Sequence, residues 1–327
     1  MSITAYYDKQ GDLPSISVEP STSGTPLQLI YLSEGGANFV FRIATLTSDG
    51  DNPLRGKLLR VRKDLSHVQP AKAQLEAFDR NFRPLFPAHH VVQQELIALE
   101  PGLAEALNAS LTSISRPACR LEDVLPLAES HGLLITDMTP AEDSEVLLQL
   151  KPKWLAQSPN APLDAKRCRT CALRAQRGAK RSHTATDRQE TCPLRLVSEG
   201  KAHRLEVATS FTKDQDVIGF LTGNGKEMLT ALRGHQQILD PHGVLEVEGE
   251  KAIWNVCRAM TLRDCTLFVK LSRGNVEARL GDLDLKLPEK MAYWKEVESR
   301  LRNEGWYGNA EAEDVWAKET VCALSRP

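Results

Sequence analysis

The sequence predicts an α+β fold in two lobes, the first over residues 1–138 and the second over residues 139–327. Runs of β-forming residues separated by tight turns fill the stretch from Leu27 to Lys63. Apolar residues recur at helical spacing in several later stretches, and hydrophobic strands lie between those stretches. The first lobe is therefore expected to be rich in β-strands, and the second to be larger and to mix helices with strands.

The composition is that of an ordinary globular protein. Of 327 residues, 41% are hydrophobic and 26% are charged, and the formal net charge of −2 gives no overall sign of a nucleic-acid or membrane partner. The sequence has no run of about 18 apolar residues, and its first residues lack the basic flank and apolar core of a signal peptide. Its seven cysteines, without a secretion signal, indicate reduced thiols or a metal site. We therefore expect an intracellular protein.

The first lobe is predicted to open with an irregular segment. Residues 9–26 are rich in Pro, Ser, Thr and Gly, so regular structure is expected to begin at Leu27. A β-meander follows, with strands over residues 27–32, 39–44 and 57–63. Apolar spacing then predicts packing helices over residues 71–83 and 90–107, with prolines as breakers.

The first bend of the meander is a glycine turn that contains Gly35 and Gly36. Backbone N–H groups of glycine can approach a phosphate closely because no Cβ intervenes. A Gly-Gly pair is also common in ordinary hairpin turns, so both interpretations stay open here. The turn has neither the G-x-G-x-x-G nor the G-x-x-x-x-G-K-[ST] pattern, which argues against a Rossmann or Walker loop.

The second lobe is predicted to follow a strand over residues 131–138 and to begin with a strand over residues 145–150. Pro152 ends the second of these strands and places Lys151 and Lys153 at its end. This arrangement suits a phosphate, or an ordinary basic surface turn. Further along, a turn leads into a packing helix over residues 227–239.

Positive charge is concentrated between Asp164 and Arg204, where many lysines and arginines accompany few acids. Such a segment is typical of polyanion binding. The same segment holds four candidate zinc ligands, Cys168, Cys171, His183 and Cys192. A C-x-x-C pair with a later histidine and cysteine predicts a zinc site, and unliganded reduced thiols are the alternative.

The densest chemical pattern lies near the end of the second lobe. Asp264 precedes a hydrophobic strand over residues 267–271, and Asp282, Asp284 and Lys286 follow in an Asp-x-Asp-x-Lys cluster predicted to open a helix. Three carboxylates and a lysine around one point suit phosphoryl transfer, in which one carboxylate accepts a hydroxyl proton and another holds Mg²⁺. Alternating Asp and Lys also occur on solvated strands and at helix N-termini.

A helix is predicted over residues 288–302. Lys286, Lys290 and Trp294 recur every four residues, so they would share one stripe of the helical surface. Two lysines and an indole on one stripe suit the binding of a phosphorylated ring. The alternative is a solvated helix face with one residue in the core.

Several of these blocks, in fixed order, resemble the inositol-pentakisphosphate 2-kinases, and more narrowly their fungal members. The resemblance runs from about Leu27 to Trp294. Its blocks are the glycine turn Glu34–Asn38, the basic strand Leu58–Lys63, Leu150–Trp154, the three cysteines with Cys192-Pro-Leu, Arg263–Thr266 and Asp282–Lys286. Each block is short, but the ordered set is specific.

The resemblance implies ATP-dependent phosphorylation of the axial 2-hydroxyl of inositol 1,3,4,5,6-pentakisphosphate, which gives inositol hexakisphosphate (phytate). It implies a two-lobed inositol polyphosphate kinase fold distantly similar to protein kinases, with a β-rich N-lobe over ATP and a larger α/β C-lobe for the inositide. ATP and Mg²⁺ are the implied cofactors, with a structural Zn²⁺ as a further candidate. The protein is expected to be a nuclear or cytoplasmic monomer without a membrane or nucleic-acid partner.

The resemblance also implies roles for single residues. Asp264 would be the general base, Lys151 would bridge the nucleotide and the transferred phosphate, and Asp282 would bind Mg²⁺. The ATP contacts would be Gly35, Gly36, Ala37, Asn38, Arg60 and Asp137. The inositide contacts would be Lys153, Arg167, Arg169, Lys286, Lys290 and Trp294.

Two other functions stay open from the residues alone. A related kinase acting on another inositol polyphosphate, or even on a protein, would keep the chemical residues and differ only in the cationic contacts. A non-enzymatic zinc-containing module would use the basic segment to bind RNA or DNA, although few aromatic residues lie among its basic residues.

Overall fold

The computed structural model describes residues 2–9, 11–46, 52–179, 191–308 and 322–325, and the fold is α+β, as the sequence predicts. The chain divides into two compact units. The first unit comprises Met1–Arg80 and Val92–Met138, and the second comprises Asn81–Val91 and Thr139–Pro327. Among the described residues, every helix is too short or too polar to cross a lipid bilayer.

The first unit is built on a closed sheet of seven strands. They are β1 (Ser2–Asp8), β2 (Ser15–Ser17), β3 (Thr25–Glu34), β4 (Asn38–Thr45), β5 (Lys57–Arg62), β6 (Gln94–Leu99) and β7 (His131–Thr136). Around the sheet the order is β1-β2-β6-β7-β5-β4-β3, and β3 pairs with β1 to close it. The β2–β6 pair is parallel and the other pairs are antiparallel. Helix α1 covers Ala71–Asn81 and helix α2 covers Leu103–Leu111.

The predicted meander is confirmed by β3, β4 and β5, which pair in that order. Side chains two residues apart on a strand point to the same face of a sheet. The alternate residues Leu27 and Leu29, Phe39 and Phe41, and Leu59 and Val61 are all buried in one apolar cluster. The meander therefore supplies much of the core of the first unit.

Two predictions for the first unit are wrong. Residues before Leu27 are not irregular throughout, because β1 and β2 complete the closed sheet, and Ile16 of β2 is fully buried. The segment 90–107 is not one helix, because it contains β6, and α2 begins only at Leu103. In both cases strand partners distant in sequence outweigh the local composition.

A buried ion cluster holds the start of the glycine turn. The Lys63 ammonium lies 2.5 Å from Glu34 Oε2 and 2.6 Å from Asp123 Oδ2, and Arg116 Nε donates to Glu34 Oε1 at 2.8 Å. Arg120 Nη1 donates to the backbone carbonyl of Glu34. The side chains of Glu34 and Lys63 are 1% and 0% exposed. These bonds link the end of β3 to β5 and to the segment 116–123.

The second unit combines a three-stranded antiparallel sheet with six helices in its described part. The strands are β8 (Val146–Leu150), β9 (Thr266–Ser272) and β10 (Asn275–Gly281), with β9 in the centre. The helices are α3 (Arg169–Ala179), α4 (Lys201–Phe211), α5 (Gln215–Thr222), α6 (Gly225–Leu239), α7 (Glu250–Leu262) and α8 (Met291–Asn303). The strand predicted over 145–150 and the helices predicted over 227–239 and 288–302 are confirmed. The strand starts one residue later than predicted, α6 starts two residues earlier, and a short 3₁₀ turn over Pro288–Lys290 precedes α8.

Removing Glu34 should destabilise the first unit strongly. In Glu34→Ala, Lys63 keeps Asp123, but Arg116 loses its buried carboxylate partner. Breaking a buried pair from one side typically costs about 3 kcal/mol or more. We expect a loss of that size in the free energy of unfolding, measured by urea denaturation. The matched control is Glu95→Ala, which breaks the exposed Lys57–Glu95 pair and should cost less than about 1 kcal/mol.

The Glu34 contribution should also depend on pH. Burial raises the pKa of this carboxyl, but hydrogen bonds from Arg116 and Lys63 outweigh burial and lower the pKa from 4.5 to about 2. A depressed carboxyl pKa stabilises the folded state fully above about pH 4.5, and that stabilisation is lost as the pH falls towards 2. The difference in unfolding free energy between wild type and Glu34→Ala should therefore shrink over this range. A difference that stays constant would contradict the buried ion cluster.

Candidate active site

The three strands of the second unit bring their functional ends to one edge of the sheet. Because β8 and β10 both run antiparallel to β9, their last residues lie beside its first ones. Leu150 pairs with Leu267, and Gly281 pairs with Thr266. Lys151, Asp264 and Asp282 flank these paired ends in the sequence. The register therefore delivers two candidate catalytic carboxylates and a lysine to the same place.

Asp264 lies in the short link between α7 and β9. The helix ends at Leu262, the Asp264 amide donates to the Thr261 carbonyl at 3.0 Å, and the strand begins at Thr266. A run of β-forming residues after Asp264 explains why the chain leaves the helix here. The Asp264 side chain is 42% exposed, so its carboxylate remains accessible.

Three lysine ammonium groups surround the Asp264 carboxylate. Lys286 Nζ lies 2.9 Å from Oδ2, Lys153 Nζ lies 3.0 Å from Oδ1, and Lys151 Nζ lies 3.4 Å from Oδ1. Lys151 also donates to the backbone carbonyl of Asp264 at 3.0 Å. The structure thus brings together four of the residues that the sequence singled out. We call this set the Asp264 cluster.

The lysines change the acidity of the carboxylate that they surround. Partial burial raises the pKa of Asp264, but the hydrogen bonds and charges of Lys286 and Lys153 outweigh it and hold the pKa well below its usual range. Asp264 is therefore ionised throughout the neutral range. Three positive charges around one negative charge also leave an excess of positive charge, which suits phosphate groups.

Asp282 follows β10 directly and accepts a hydrogen bond from the Thr266 hydroxyl through Oδ2. Its backbone is left-handed, with φ 56°, and Lys153 has φ 59°. Such conformations are costly for residues other than glycine and concentrate at functional sites. Both residues therefore occupy strained positions that the surrounding structure maintains.

The Asp-x-Asp-x-Lys cluster does not open a helix, contrary to the prediction. Residues 282–287 form a link without regular secondary structure, and the Lys286 amide donates to the Thr261 hydroxyl at 3.0 Å. The regular helix α8 starts only at Met291. This contact with the last turn of α7 explains how Lys286 reaches Asp264.

The predicted stripe of Lys286, Lys290 and Trp294 is also wrong as a helical surface. Lys286 precedes the helix, Lys290 is exposed at its start, and Trp294 is buried. Trp294 belongs to an apolar cluster with Trp154, Val256 and Met260. A stripe requires one continuous helix, and Lys286 lies in the irregular link before the helix begins.

Arg167 and Arg169, predicted as inositide contacts, are buried. Arg169 Nε donates to Glu298 Oε2 at 2.8 Å, and its guanidinium lies 4.4 Å from the Trp154 ring centre. Arg204 of the same basic segment donates to the backbone carbonyls of Ser198, Glu199 and Thr222. Arg167, Arg169 and Arg204 of the predicted polyanion surface are therefore buried inside the second unit.

Except for Asp137, the predicted nucleotide residues of the first unit lie in the glycine turn or bond to it. Gly35 and Gly36 are exposed, and the Gly35 amide donates to the Asn38 carbonyl at 2.9 Å. The Asn38 amide, oriented with its oxygen towards Arg60, accepts from Nη2 at 2.5 Å and from Nε at 3.2 Å. Ala37 accepts from the Lys63 amide at 2.8 Å. The turn is thus fixed at its base and open at its tip.

Asp137 lies elsewhere in the first unit, directly after β7. It is half-buried, and its backbone amide donates to the Gly56 carbonyl at 2.8 Å. This bond links the end of β7 to the turn before β5.

Four buried cysteine thiols form a compact group. Cys168, Cys171 and Cys192 were predicted, and the fourth is Cys322, which the sequence reasoning missed. The four sulfur atoms lie within 4.8 Å of one another, and the Cys168–Cys192 and Cys192–Cys322 separations are both 3.7 Å. The predicted ligand His183 lies outside the described residues. In the sequence, Cys322 belongs to none of the cysteine motifs, so its membership of this group could not be predicted from spacing.

A second buried group that sequence reasoning missed lies next to Asp264 in the chain. Arg263 Nη1 pairs with Asp240 Oδ2 at 2.5 Å, and the Arg263 guanidinium stacks 3.5 Å from the centre of the Trp154 ring. Both charged side chains are almost fully buried. From the Arg-Asp dipeptide before a strand, the sequence predicted a role only for the aspartate. It gave no indication of the arginine's contacts, because Asp240 and Trp154 are distant in sequence.

Comparison of the sequence with known proteins shows the family of this chain. The sequence profile described as inositol-pentakisphosphate 2-kinase matches residues 31–224 and 213–300. An inositol-pentakisphosphate 2-kinase of Yarrowia lipolytica (strain CLIB 122 / E 150) is 30% identical over 299 residues, which are 86% of this chain and 93% of that protein. Proteins with the same name from two strains of Cryptococcus neoformans var. neoformans serotype D are 31% identical over 153 residues, 43% of this chain and 36% of theirs. The profile spans the glycine turn and the Asp264 cluster, and the chain belongs to the inositol-pentakisphosphate 2-kinase family.

Proposed function

We propose that this protein transfers the γ-phosphoryl group of ATP to the 2-hydroxyl of inositol 1,3,4,5,6-pentakisphosphate and so produces inositol hexakisphosphate. Family membership supports the reaction class, and the Asp264 cluster is the observation that carries the proposal. A polyphosphorylated substrate needs several fixed cations beside a proton acceptor. The finer fold assignment, a kinase-like pair of lobes, is part of the same proposal.

The lysines bind phosphate groups in this proposal. Lys153 and Lys286 hold the inositide phosphates, Lys290 adds a contact from the exposed start of α8, and Lys151 offsets charge on the transferred group. Arg167, Arg169 and Trp294 do not contact the inositide in this proposal, because their side chains are buried. In the first unit, the residues that contact ATP are Gly35, Gly36, Ala37, Asn38, Arg60 and Asp137.

Asp264 acts as the general base. Surrounded by ammonium groups, its carboxylate is a weak proton acceptor, and an effective base has a pKa near the working pH. Phosphate groups of the bound substrate compete for Lys153 and Lys286. As these lysines turn towards phosphate, the pKa of Asp264 rises and its carboxylate accepts the hydroxyl proton.

Asp282 is the residue that would hold Mg²⁺. Its side chain is exposed, and a carboxylate oxygen is the ligand type that this cation prefers. The Thr266 hydroxyl, bonded to Oδ2, orients the carboxylate. A bound Mg²⁺ would supply neutralisation of the charge on the ATP phosphates.

The four-cysteine group fits a structural zinc ion. A tetrahedral site with Zn–S distances of about 2.3 Å has sulfur–sulfur edges of about 3.8 Å. The 3.7 Å separations around Cys192 are close to that edge, and all four thiols are unpaired by disulfides. The Cys168 amide also donates to Cys322 Sγ at 3.1 Å, an orientation that supports a thiolate ligand. In this proposal Cys322, not His183, completes the site.

Transfer of labelled phosphate tests the reaction and its base together. With γ-labelled ATP, Mg²⁺ and inositol pentakisphosphate, wild type should place label in the hexakisphosphate, separated by anion exchange. Asp264→Asn removes the base, so turnover should fall at least about a hundredfold while inositide binding persists. The control Asp143→Asn changes an exposed carboxylate outside the cluster and should leave turnover unchanged. Normal turnover in Asp264→Asn would refute the base, and an inactive wild type would refute the reaction.

Metal analysis tests the zinc site. Wild type and Cys119→Ser, which changes an exposed cysteine outside the group, should each retain about one zinc per chain. Cys322→Ser should lose the metal. Its three remaining cysteines should then react faster with a thiol reagent, because zinc no longer occupies their sulfur atoms. His183→Ala should keep the zinc. Zinc loss in His183→Ala, with retention in Cys322→Ser, would assign the fourth ligand to His183 instead.

A further inference from the structure

Gln236 of α6 makes more structural contacts near the Asp264 cluster than its place in a packing helix suggests. The residue is 1% exposed. Its Oε1 accepts from the Leu155 amide at 3.0 Å, and its Nε2 donates to the carbonyls of Lys153 at 2.9 Å and Leu262 at 3.2 Å. A glutamine amide offers two N–H donors and one carbonyl acceptor. All three are therefore used on backbone groups.

These three bonds join the two segments that form the Asp264 cluster. Lys153 and Leu155 belong to the segment after β8, which carries Lys151 and Lys153. Leu262 is the last residue of α7, two positions before Asp264. One buried side chain thus links the chain that carries two lysines to the chain that carries the carboxylate.

The backbone at Lys153 needs such a support. Its left-handed φ of 59° is unfavourable for a lysine and persists only where neighbouring contacts hold it. The Gln236 amide bonds to the Lys153 carbonyl and to the amide two residues later, on either side of Trp154. Relaxation of this turn would change the direction of the Lys153 side chain.

A second set of contacts acts on the same region. The Arg263 guanidinium stacks on Trp154 and pairs with Asp240, and its Nη2 donates to the backbone carbonyl of Gln236 at 3.4 Å. The residue before the catalytic aspartate and the residue after Lys153 are therefore in contact. Gln236 lies where these contacts meet.

From these contacts we infer that Gln236 is a positioning residue for phosphoryl transfer: it holds Lys153 and Asp264 in the spacing that the reaction needs. The inference rests on the proposed function. Gln236 acts through the backbone of Lys153, Leu155 and Leu262, and its side-chain amide bonds to none of the charged groups of the Asp264 cluster.

The test compares Gln236→Met with Gln237→Met. Methionine matches the length of glutamine and stays apolar in the buried site, but it forms none of the three bonds. Gln237 is the next residue of α6 and is exposed, so its variant controls for the substitution itself. A second variant, Gln236→Glu, keeps an acceptor for Leu155 but places a carboxylate against two carbonyls. It serves if the methionine variant does not fold.

Hydrogen exchange and kinetics should change together in the Gln236 variants. We expect faster amide exchange in residues 153–155, with other segments of the second unit unchanged. In Gln236→Met the reason is that the Leu155 amide loses its acceptor, and in Gln236→Glu it is that the carboxylate repels the carbonyls of Lys153 and Leu262. Misplacement of about 1 Å reduces catalysis by up to about a hundredfold, so kcat should fall tenfold or more while the KM for ATP stays within about twofold. Gln237→Met should match wild type in both measurements.

Two results would overturn the inference. One is wild-type kcat and wild-type exchange in both Gln236 variants. The other is faster exchange throughout the second unit with a lower melting temperature, which would mean that Gln236 only stabilises the fold. If the wild type itself transferred no phosphate, the proposed function would fail, and local exchange alone would decide whether Gln236 holds the two segments.

Discussion

The antiparallel register of β8, β9 and β10 is the constraint on which the site depends. Because Leu150 pairs with Leu267 and Gly281 pairs with Thr266, the ends of three chain segments meet at one sheet edge. A slip of one residue would turn every side chain to the opposite face. Backbone pairing thus decides where Lys151 and Asp282 lie relative to Asp264.

Electrostatics then completes the Asp264 cluster. Three ammonium groups repel one another, and in the free protein the Asp264 carboxylate supplies their common counter-charge. The same contacts keep the carboxylate ionised and weakly basic. In the proposed reaction, substrate phosphates replace the carboxylate as partners of the lysines, so binding of substrate and activation of the base are one process.

Buried polar groups outside the cluster hold its parts in place. Gln236 and the Arg263–Asp240 pair use backbone and ring contacts to fix the Lys153 turn and the end of α7. In the first unit, Lys63 and Arg116 hold Glu34 at the start of the glycine turn. In both units, exposed candidate site residues lie next to buried charged groups that are hydrogen-bonded, and leaving such buried groups unpaired would be costly.

By itself the sequence determined the α+β class, the meander, the helices around residues 71–83 and 227–239, and the main members of the Asp264 cluster. These follow from local patterns: alternation, helical spacing and short ordered motifs. Only the tertiary structure decided the strands β1, β2 and β6, the burial of Trp294 and Arg169, the contacts of Gln236, and the place of Cys322 beside the other three cysteines. Each of these depends on a partner far away in the chain, such as Glu298 for Arg169 or Cys168 for Cys322, and residue spacing carries no information about such partners.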